Sequence, residues 1–332
     1  MDIFFIDDAA GVPKYRQLIN SFYASLEAGR LQRGDRLPSL NEVCAAYSLS
    51  RDTVLQAFNE LKSLGVILAV PGKGYYVDRP ELRPERNVFL LFDELNVFKE
   101  DIYNAFLEHL NKETRVDIFF HHFNLRVYHE QIMNAAGKYS DYILMPATFN
   151  HTAEITARLP ADRVIILDRL KPELLTYPCI YQDFEADVLD GLNEALPLLL
   201  RYKKLIMVHP GGKEPEERLT GFRKFCSTHN LSCNVLRNTD KCKPAAGEIY
   251  LVVADRHLVS LVKKCGEAGL VLGRDVGLIS FNDTVLKEVV AGGITTISTD
   301  FRELGRLLAR MVETRTYRQI RNASGLILRN TL

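Results

Sequence analysis

The chain has no run of eighteen apolar residues, and its opening MDIFFIDDAAG lacks the basic start and long apolar core of an export signal. A cytoplasmic protein without a membrane partner is expected. Its six cysteines (Cys44, Cys179, Cys226, Cys233, Cys242, Cys265) form no CxxC pair or other metal-ligand spacing, so they read as reduced packing residues. Excess charge is absent too: 42 basic side chains face 42 acidic ones, so any nucleic-acid binding must come from a local patch. No GxSxG, HExxH or GxGxxG occurs, and no pyridoxal lysine stands in its strand context. The expectation is a non-enzyme with no cofactor and no metal.

What is there is a 332-residue chain, 47% apolar, long enough for two or three domains. In VPKYRQLINSFYASLEAG, Tyr15, Leu18, Ile19, Phe22, Tyr23 and Leu26 share one helix face, and Gly29 marks the stop. Ser39 followed by Glu42 is a capping box that starts a short second helix. Ser50 caps a third, whose buried side is Val54, Ala57, Phe58, Leu61 and Leu64, with Gly65 at its end. VILAV and YYV then flank PGKG, a hairpin with glycines where positive φ is cheap. Three helices and a wing is the arrangement that lets a helix enter the major groove. Its first turn here carries Ser50, Arg51, Asp52, Thr53 and Gln56, and Lys73 beside the bare backbone of Gly72 and Gly74 suits phosphates or the minor groove. The bland alternative is a small helical core with solvated charges.

The strings PKYRQL, GDRLPSLNEV, YSLSRDTVLQAFNELKSLGVI and GKGYYV together resemble the GntR family of winged-helix transcription regulators over residues 10 to 78. The resemblance implies operator DNA as a partner. It places Ser39, Arg51 and Thr53 at the family's DNA-contact positions, with Gly72 and Gly74 beside the backbone, and makes Arg36 and Asn41 further candidates. Asn41 stands where the family commonly has Arg, and Leu55 where Arg or Lys is frequent. Residues 1 to 80 hold nine basic and nine acidic side chains, so weak monomer binding compensated by a homodimer on a two-part operator is expected.

DRPELRPERN has no apolar period and two prolines, which marks a connector. The expected domains are 1–77, a linker over 78–86, and 87–332. Beyond the linker, VFLLF, VDIFF, YILMP, VIILD, KLIMVHP, EIYLVVA and VGLISF alternate with helical patterns. Continuous apolar runs are strands buried on both faces, hence parallel α/β architecture. The length points to two lobes, the second starting afresh at PLLLRYKKLIMV. Ligands of such sheets bind beyond the carboxyl ends of strands, which selects among others Asp93, His121, His122, Phe149, Asp168, Asp255 and Asn282.

The segments YSDYILMPAT, VIILDR, YQDFEADVLDGLNEALPLLL, ERLTGFRKF, VVADRHLVSLVKKCGEAGLVLGRDVGLISFND and TTISTDFRELGRLLARMV look like the effector domain of LacI-family regulators over residues 86 to 330. That likeness implies two Rossmann-like lobes of the type I periplasmic-binding-protein kind closing on a small effector. By position Arg218, Asp255 and Asn282 face the cleft, and Asp168 and Tyr181 lie near its hinge side. The family usually has Asp at Asn282, and its minor-groove hinge helix is missing here. With the aromatics Phe98, Phe149, Tyr181 and Phe281, the cleft favours a neutral monosaccharide such as a pentose or 6-deoxyhexose, with a nucleoside or sugar phosphate as the alternative. Other readings compete at several positions. His121 and His122 point to opposite faces and are not expected to hold a metal, although His122 stays a cleft candidate. HPGGKEP lacks the spacing of a phosphate loop. Asp168, Arg169 and Asp183 are equally readable as structural ion pairs, and Asp255 as a helix cap.

Overall fold

The computed structural model describes residues 3–7, 13–80, 86–314 and 318–332. The chain opens with α1 (Lys14–Glu27), α2 (Leu40–Tyr47), α3 (Arg51–Ser63) and the antiparallel hairpin β1 (Ile67–Val70) and β2 (Gly74–Val77). Leu18, Ile19, Phe22, Val43, Val54, Ala57, Phe58 and Leu61 form its core. The sequence pattern did not foresee that Phe4 completes this core, packing edge-on against Tyr47 at 6.3 Å. Hydrogen bonds hold the segment around Phe4, with Tyr47 donating to the Phe4 carbonyl and Ser25 to that of Ile3. Of the expected linker, residues 81–85 lie outside those described.

Two α/β stretches follow. The elements of the first are β3 (Asn87–Phe92), α4 (Val97–His109), β4 (Arg115–Phe120), α5 (Leu125–Ala135), β5 (Asp141–Leu144), α6 (Thr152–Thr156), β6 (Val164–Asp168) and β7 (Cys179–Tyr181). Next come α7 (Phe184–Leu199), β8 (Lys204–Val208), α8 (Glu217–Thr228), β9 (Cys233–Leu236), β10 (Glu248–Val252), α9 (Asp255–Glu267), β11 (Gly277–Phe281), α10 (Val285–Val289) and β12 (Thr295–Thr299). The chain ends with α11 (Phe301–Thr314), β13 (Gln319–Arg321) and β14 (Ser324–Ile327). They build two six-stranded sheets, ordered β13-β7-β6-β5-β3-β4 and β14-β12-β11-β10-β8-β9. Pairing is parallel in β3–β4, β3–β5, β6–β7, β8–β9 and β10–β11, and β14 alone among the described pairs of the second sheet runs antiparallel, against β12. The strands are continuous apolar runs because helices cover both faces.

Backbone contacts divide the chain into two compact units, residues 1–92, 111–144 and 151–165, and residues 93–110, 145–150 and 166–332. The second unit has its own core, where Val188, Leu192, Ala195 and Leu199 of α7 meet Phe222 and Phe225 of α8 and Ile279 and Phe281 of β11. Its helices approach closely at Gly221, where a Cβ would stand 2.5 Å from the Glu185 carbonyl oxygen. α7, most of which precedes PLLLRYKKLIMV, packs into this core.

Candidate DNA-reading face and ligand cleft

The DNA-reading candidates gather at the first turns of α2 and α3 and at the wing. Ser39 and Glu42 form the expected box, the Glu42 amide donating to Ser39 Oγ at 3.3 Å and the Ser39 amide to Glu42 Oε2 at 2.7 Å. Those bonds hold the Glu42 carboxyl below its ordinary range. Ser50 Oγ accepts from the Thr53 amide at 3.3 Å and lies 2.8 Å from Thr53 Oγ1. Both serine oxygens thus cap helices, satisfying amides that the first turn leaves open. Arg51 is exposed and donates from Nη1 to Asn41 Oδ1 at 3.0 Å, which joins the two helix starts. Asp52 and Gln56 are exposed on the same helix. In the wing, Lys73 is exposed and Gly74 has φ +111°; a Cβ there would stand 3.5 Å from Arg36 Nε, so Arg36 lies along the hairpin.

In the second unit, charged groups collect just beyond the strands. Arg218 of α8 is buried, its guanidinium 5.1 Å from the ring centre of Phe184 and 4.9 Å from that of Phe281. Its Nη1 donates to Glu214 Oε2 at 3.1 Å. Burial pulls its pKa down against the pull of Glu214 and Asp168. Gln182, Asp187, Asn282, Ile297, Thr299 and Ser324 line the small cavity around it. Asp168 ends β6 and accepts from Gln182 Nε2 at 2.5 Å. Asp93, buried after β3, faces the Lys99 ammonium at 3.5 Å. Burial pushes Asp93 up, and the charge of Asp168 adds to that while Lys99 opposes it. Burial also disfavours the charged form of Lys99, but Asp168, Asp93 and Glu94 outweigh it and hold that ammonium above its ordinary range. Asp168 and Asn282 have left-handed backbones, φ +77° and +58°, a conformation that non-glycine residues adopt only where the surroundings impose it.

Other candidates sit differently from the sequence reading. Asp255 caps nothing: α9 starts on it, and its carboxylate pairs with Lys287 at 2.9 Å, whose ammonium also donates to the carbonyls of Phe281 and Asn282. Asp168, Arg169 and Asp183, read as ligand contacts or as structural ion pairs, do not pair with one another among the described residues. Arg169 pairs with Glu217, and Asp183 caps α7 by accepting from the Ala186 amide. Phe98 stacks on Phe301, ring centres 4.9 Å apart, joining α4 to α11. Tyr181 is half-buried at the end of β7, paired in register with Asp168. Phe149 is half-buried in the loop after β5. In the first unit, His122 is exposed beyond the edge strand β4 and stacks on Phe120, whereas His121 is buried with its ring edge-on to Tyr128. Among the described residues, no group of three or more His, Cys, Asp or Glu is placed to hold a metal ion, and no helix is long and apolar enough to cross a membrane.

Sequence reasoning missed Lys99, Gln182, Phe184 and Lys287. A signal existed for two. Lys99 falls on the apolar period of Ile102 and Phe106, and α10 shows Val285, Leu286 and Val289 to solvent while burying Lys287. A lysine on a buried face has to meet a carboxylate or a set of carbonyls.

The fold is a winged helix followed by two six-stranded α/β sheets. Residues 14–77 match the gntR family of bacterial regulatory proteins, and residues 200–331 match the periplasmic binding protein-like domain. The chain thus carries a GntR winged helix at its N-terminal side and a periplasmic-binding-protein-like domain at its C-terminal side. Curated relatives share the former. The arabinose metabolism transcriptional repressor of Geobacillus stearothermophilus is 33% identical over 70 residues, 21% of this chain and 19% of that protein. The HTH-type transcriptional regulator YdcR of Escherichia coli is 44% identical over 64 residues, 19% and 14% respectively. The chain spans only 14% of the regulator YcxD and 55% of the repressor YtrA, both of Bacillus subtilis. Solved structures share the receptor fold: a lac repressor dimer bound to operator and anti-inducer (TM-score 0.60, 16% identity, 75% of this chain and 94% of that one) and the trehalose repressor of Escherichia coli (0.61, 15%, 74% and 100%). At that identity the likeness is one of fold.

Proposed function

We propose that this chain is a ligand-responsive transcription regulator, acting as a cytoplasmic homodimer that sets two winged helices on an operator and responds to a small neutral sugar. Relatives named as repressors of arabinose metabolism and of trehalose support a carbohydrate effector. The observation that carries neutrality is that five cations gathered beyond the strand ends already have carboxylates: Lys99 has Asp93, Arg218 has Glu214, Lys287 has Asp255, Lys213 has Glu94 and Arg169 has Glu217. A phosphate would have to displace one of them. Hydroxyl groups need only share acceptors such as Asp168 and donors such as Arg218.

The test is a thermal-shift screen against monosaccharides, sugar phosphates and nucleosides, because a ligand that binds the folded state alone raises the melting temperature. A neutral pentose or 6-deoxyhexose should do so and its phosphate should not; stabilisation by a phosphate or a nucleoside instead overturns the assignment. The same sugar should change retention of a duplex selected by the protein from a random-sequence library.

A further inference from the structure

The chain passes between its two sheets three times: at Gln182 between β7 and α7, at Asp300 between β12 and α11, and at Asn322 between β13 and β14. These three passages are tied to one another by buried polar groups. Thr299 Oγ1 donates to Gln182 Oε1 at 2.6 Å, and Asn322 Nδ2 donates to the Asp300 carbonyl at 2.9 Å. The Asn322 amide reaches the Tyr181 carbonyl at 2.8 Å. Gln182, Thr299 and Asn322 are 8%, 6% and 1% exposed, so water does not compete for these bonds. The other end of the Gln182 amide, Nε2, donates to Asp168 Oδ1, while the Gln182 backbone amide holds the Asp168 carbonyl at 3.1 Å. The chemistry fixes which end is which, since a carboxylate oxygen accepts and the Thr299 hydroxyl supplies the donor opposite.

We propose that Gln182 is a positioning residue: it aims the Asp168 carboxylate at the effector and ties that aim to the three passages, so that movement about them changes effector affinity. The proposal rests on the reading of Asp168 as an effector contact. The carboxylate keeps its second oxygen for a ligand hydroxyl while the first stays anchored. Its left-handed backbone, φ +77°, is held by the backbone amide of the same residue, so carboxylate and main chain both follow Gln182. A side chain that only filled space here would need neither end of its amide.

Two measurements on the full chain decide the matter. In ligand-free protein, Gln182→Met should raise hydrogen exchange of the Asn322 and Asp300 amides about tenfold while the β10 amides stay protected. For the sugar giving the largest wild-type melting shift, Gln182→Met should weaken Kd about tenfold, the loss of a hydrogen bond to a charged group. The double variant with Thr299→Val should bind no more weakly than Gln182→Met alone, because the two act through one relay. Unchanged protection at the passages overturns the tie. An unchanged Kd with a lowered melting temperature, or losses that add, reduces Gln182 to a brace and overturns its role toward the ligand. If no compound in the screen stabilises the wild type, the effector reading itself fails and takes that role with it, while exchange still reports the tie.

Discussion

Replacing Lys99 by Met keeps the length of the side chain, removes its charge and leaves Asp93 without its cation. Both side chains are almost wholly enclosed, Lys99 9% and Asp93 10% exposed, with 3.5 Å between Nζ and Oδ1. At an effective dielectric of about 20, that separation is worth about 5 kcal/mol. Breaking a buried pair on one side typically costs about 3–5 kcal/mol, so the two routes agree. For a domain of this size each kcal/mol lowers the melting temperature by about 2–4 °C, which gives a fall of roughly 6–20 °C. The sign with pH follows from Asp93, whose pKa burial and Asp168 already raise and which loses the opposing pull of Lys99. Between the ordinary aspartate value of 3.8 and the raised one, the folded variant keeps a proton that the unfolded chain gives up. Its stability therefore rises as pH falls through the raised pKa. Melting followed by circular dichroism at pH 8 and pH 5.5 should show the deficit shrinking on acidification, and Asp93→Asn in the same chain should recover most of it. A variant that melts like wild type at pH 8, or whose deficit is indifferent to both pH and Asp93→Asn, would refute the buried pair.

Arg51→Ala should weaken binding to the selected duplex by about 1–3 kcal/mol without moving the melting temperature, because Arg51 is exposed; unchanged affinity in fluorescence anisotropy removes it from the reading face. Arg218→Ala should leave duplex binding intact without sugar and abolish the sugar response. Stability should also fall by about 2 kcal/mol as the guanidinium leaves its two rings and Glu214, so sugar affinity must be measured on the folded fraction. Burial acts upward on Asp283, but the two bonds from Arg329, each 2.7 Å, hold it below its ordinary value. The stability this contributes is full above about pH 4 and lost as pH falls through the lowered pKa, so Asp283→Asn should flatten the acid limb of unfolding. Residues 87–332 should fold and dimerise without the winged helix; a monomer in sedimentation counts against the assembly, and an insoluble product against the boundary.

The winged helix was legible almost residue by residue, since caps, apolar faces and turn glycines are local and each leaves its mark within a few positions. Ser39, Glu42, Ser50 and Gly65 stand where their chemistry put them. The central strands β3, β5, β6, β8, β10 and β11 and the edge strand β4 were plain, because burial leaves an unbroken or nearly unbroken apolar run. The short or polar β7, β9, β12 and β14 were not read. What stayed hidden depends on distant partners. Nothing near Lys99 in sequence announces Asp168, and Gln182 gains meaning only when Thr299, 117 positions away, is brought beside it. The return of β13 to the first sheet was also invisible, because a strand of three residues carries too little pattern. The partner of Phe98, the ring of Phe301 on α11, was hidden for the same reason.

The even charge of residues 1–80 bears on how strongly an effector has to act. Affinity for DNA that is independent of sequence grows with the number of phosphates neutralised, and nine basic against nine acidic side chains leave a single copy with little of it. If the chain works as the homodimer proposed above, two copies on one operator would act near threshold, where a modest coupling suffices. A coupling of about 1–3 kcal/mol changes affinity by roughly 5- to 150-fold. A single hydrogen bond to a charged group is worth about 1.5–3 kcal/mol, so one made in only one state of the receptor falls within that range. Asp168 and Gln182, joined to the passages between the sheets, are where such a bond would be made or lost. On this reasoning, duplex binding should fall steeply as salt is raised only once the homodimer has formed, and the slope for a forced monomer should be about half as large. Equal slopes for monomer and dimer would place the DNA affinity in each winged helix alone and remove the threshold on which a small effector bond depends.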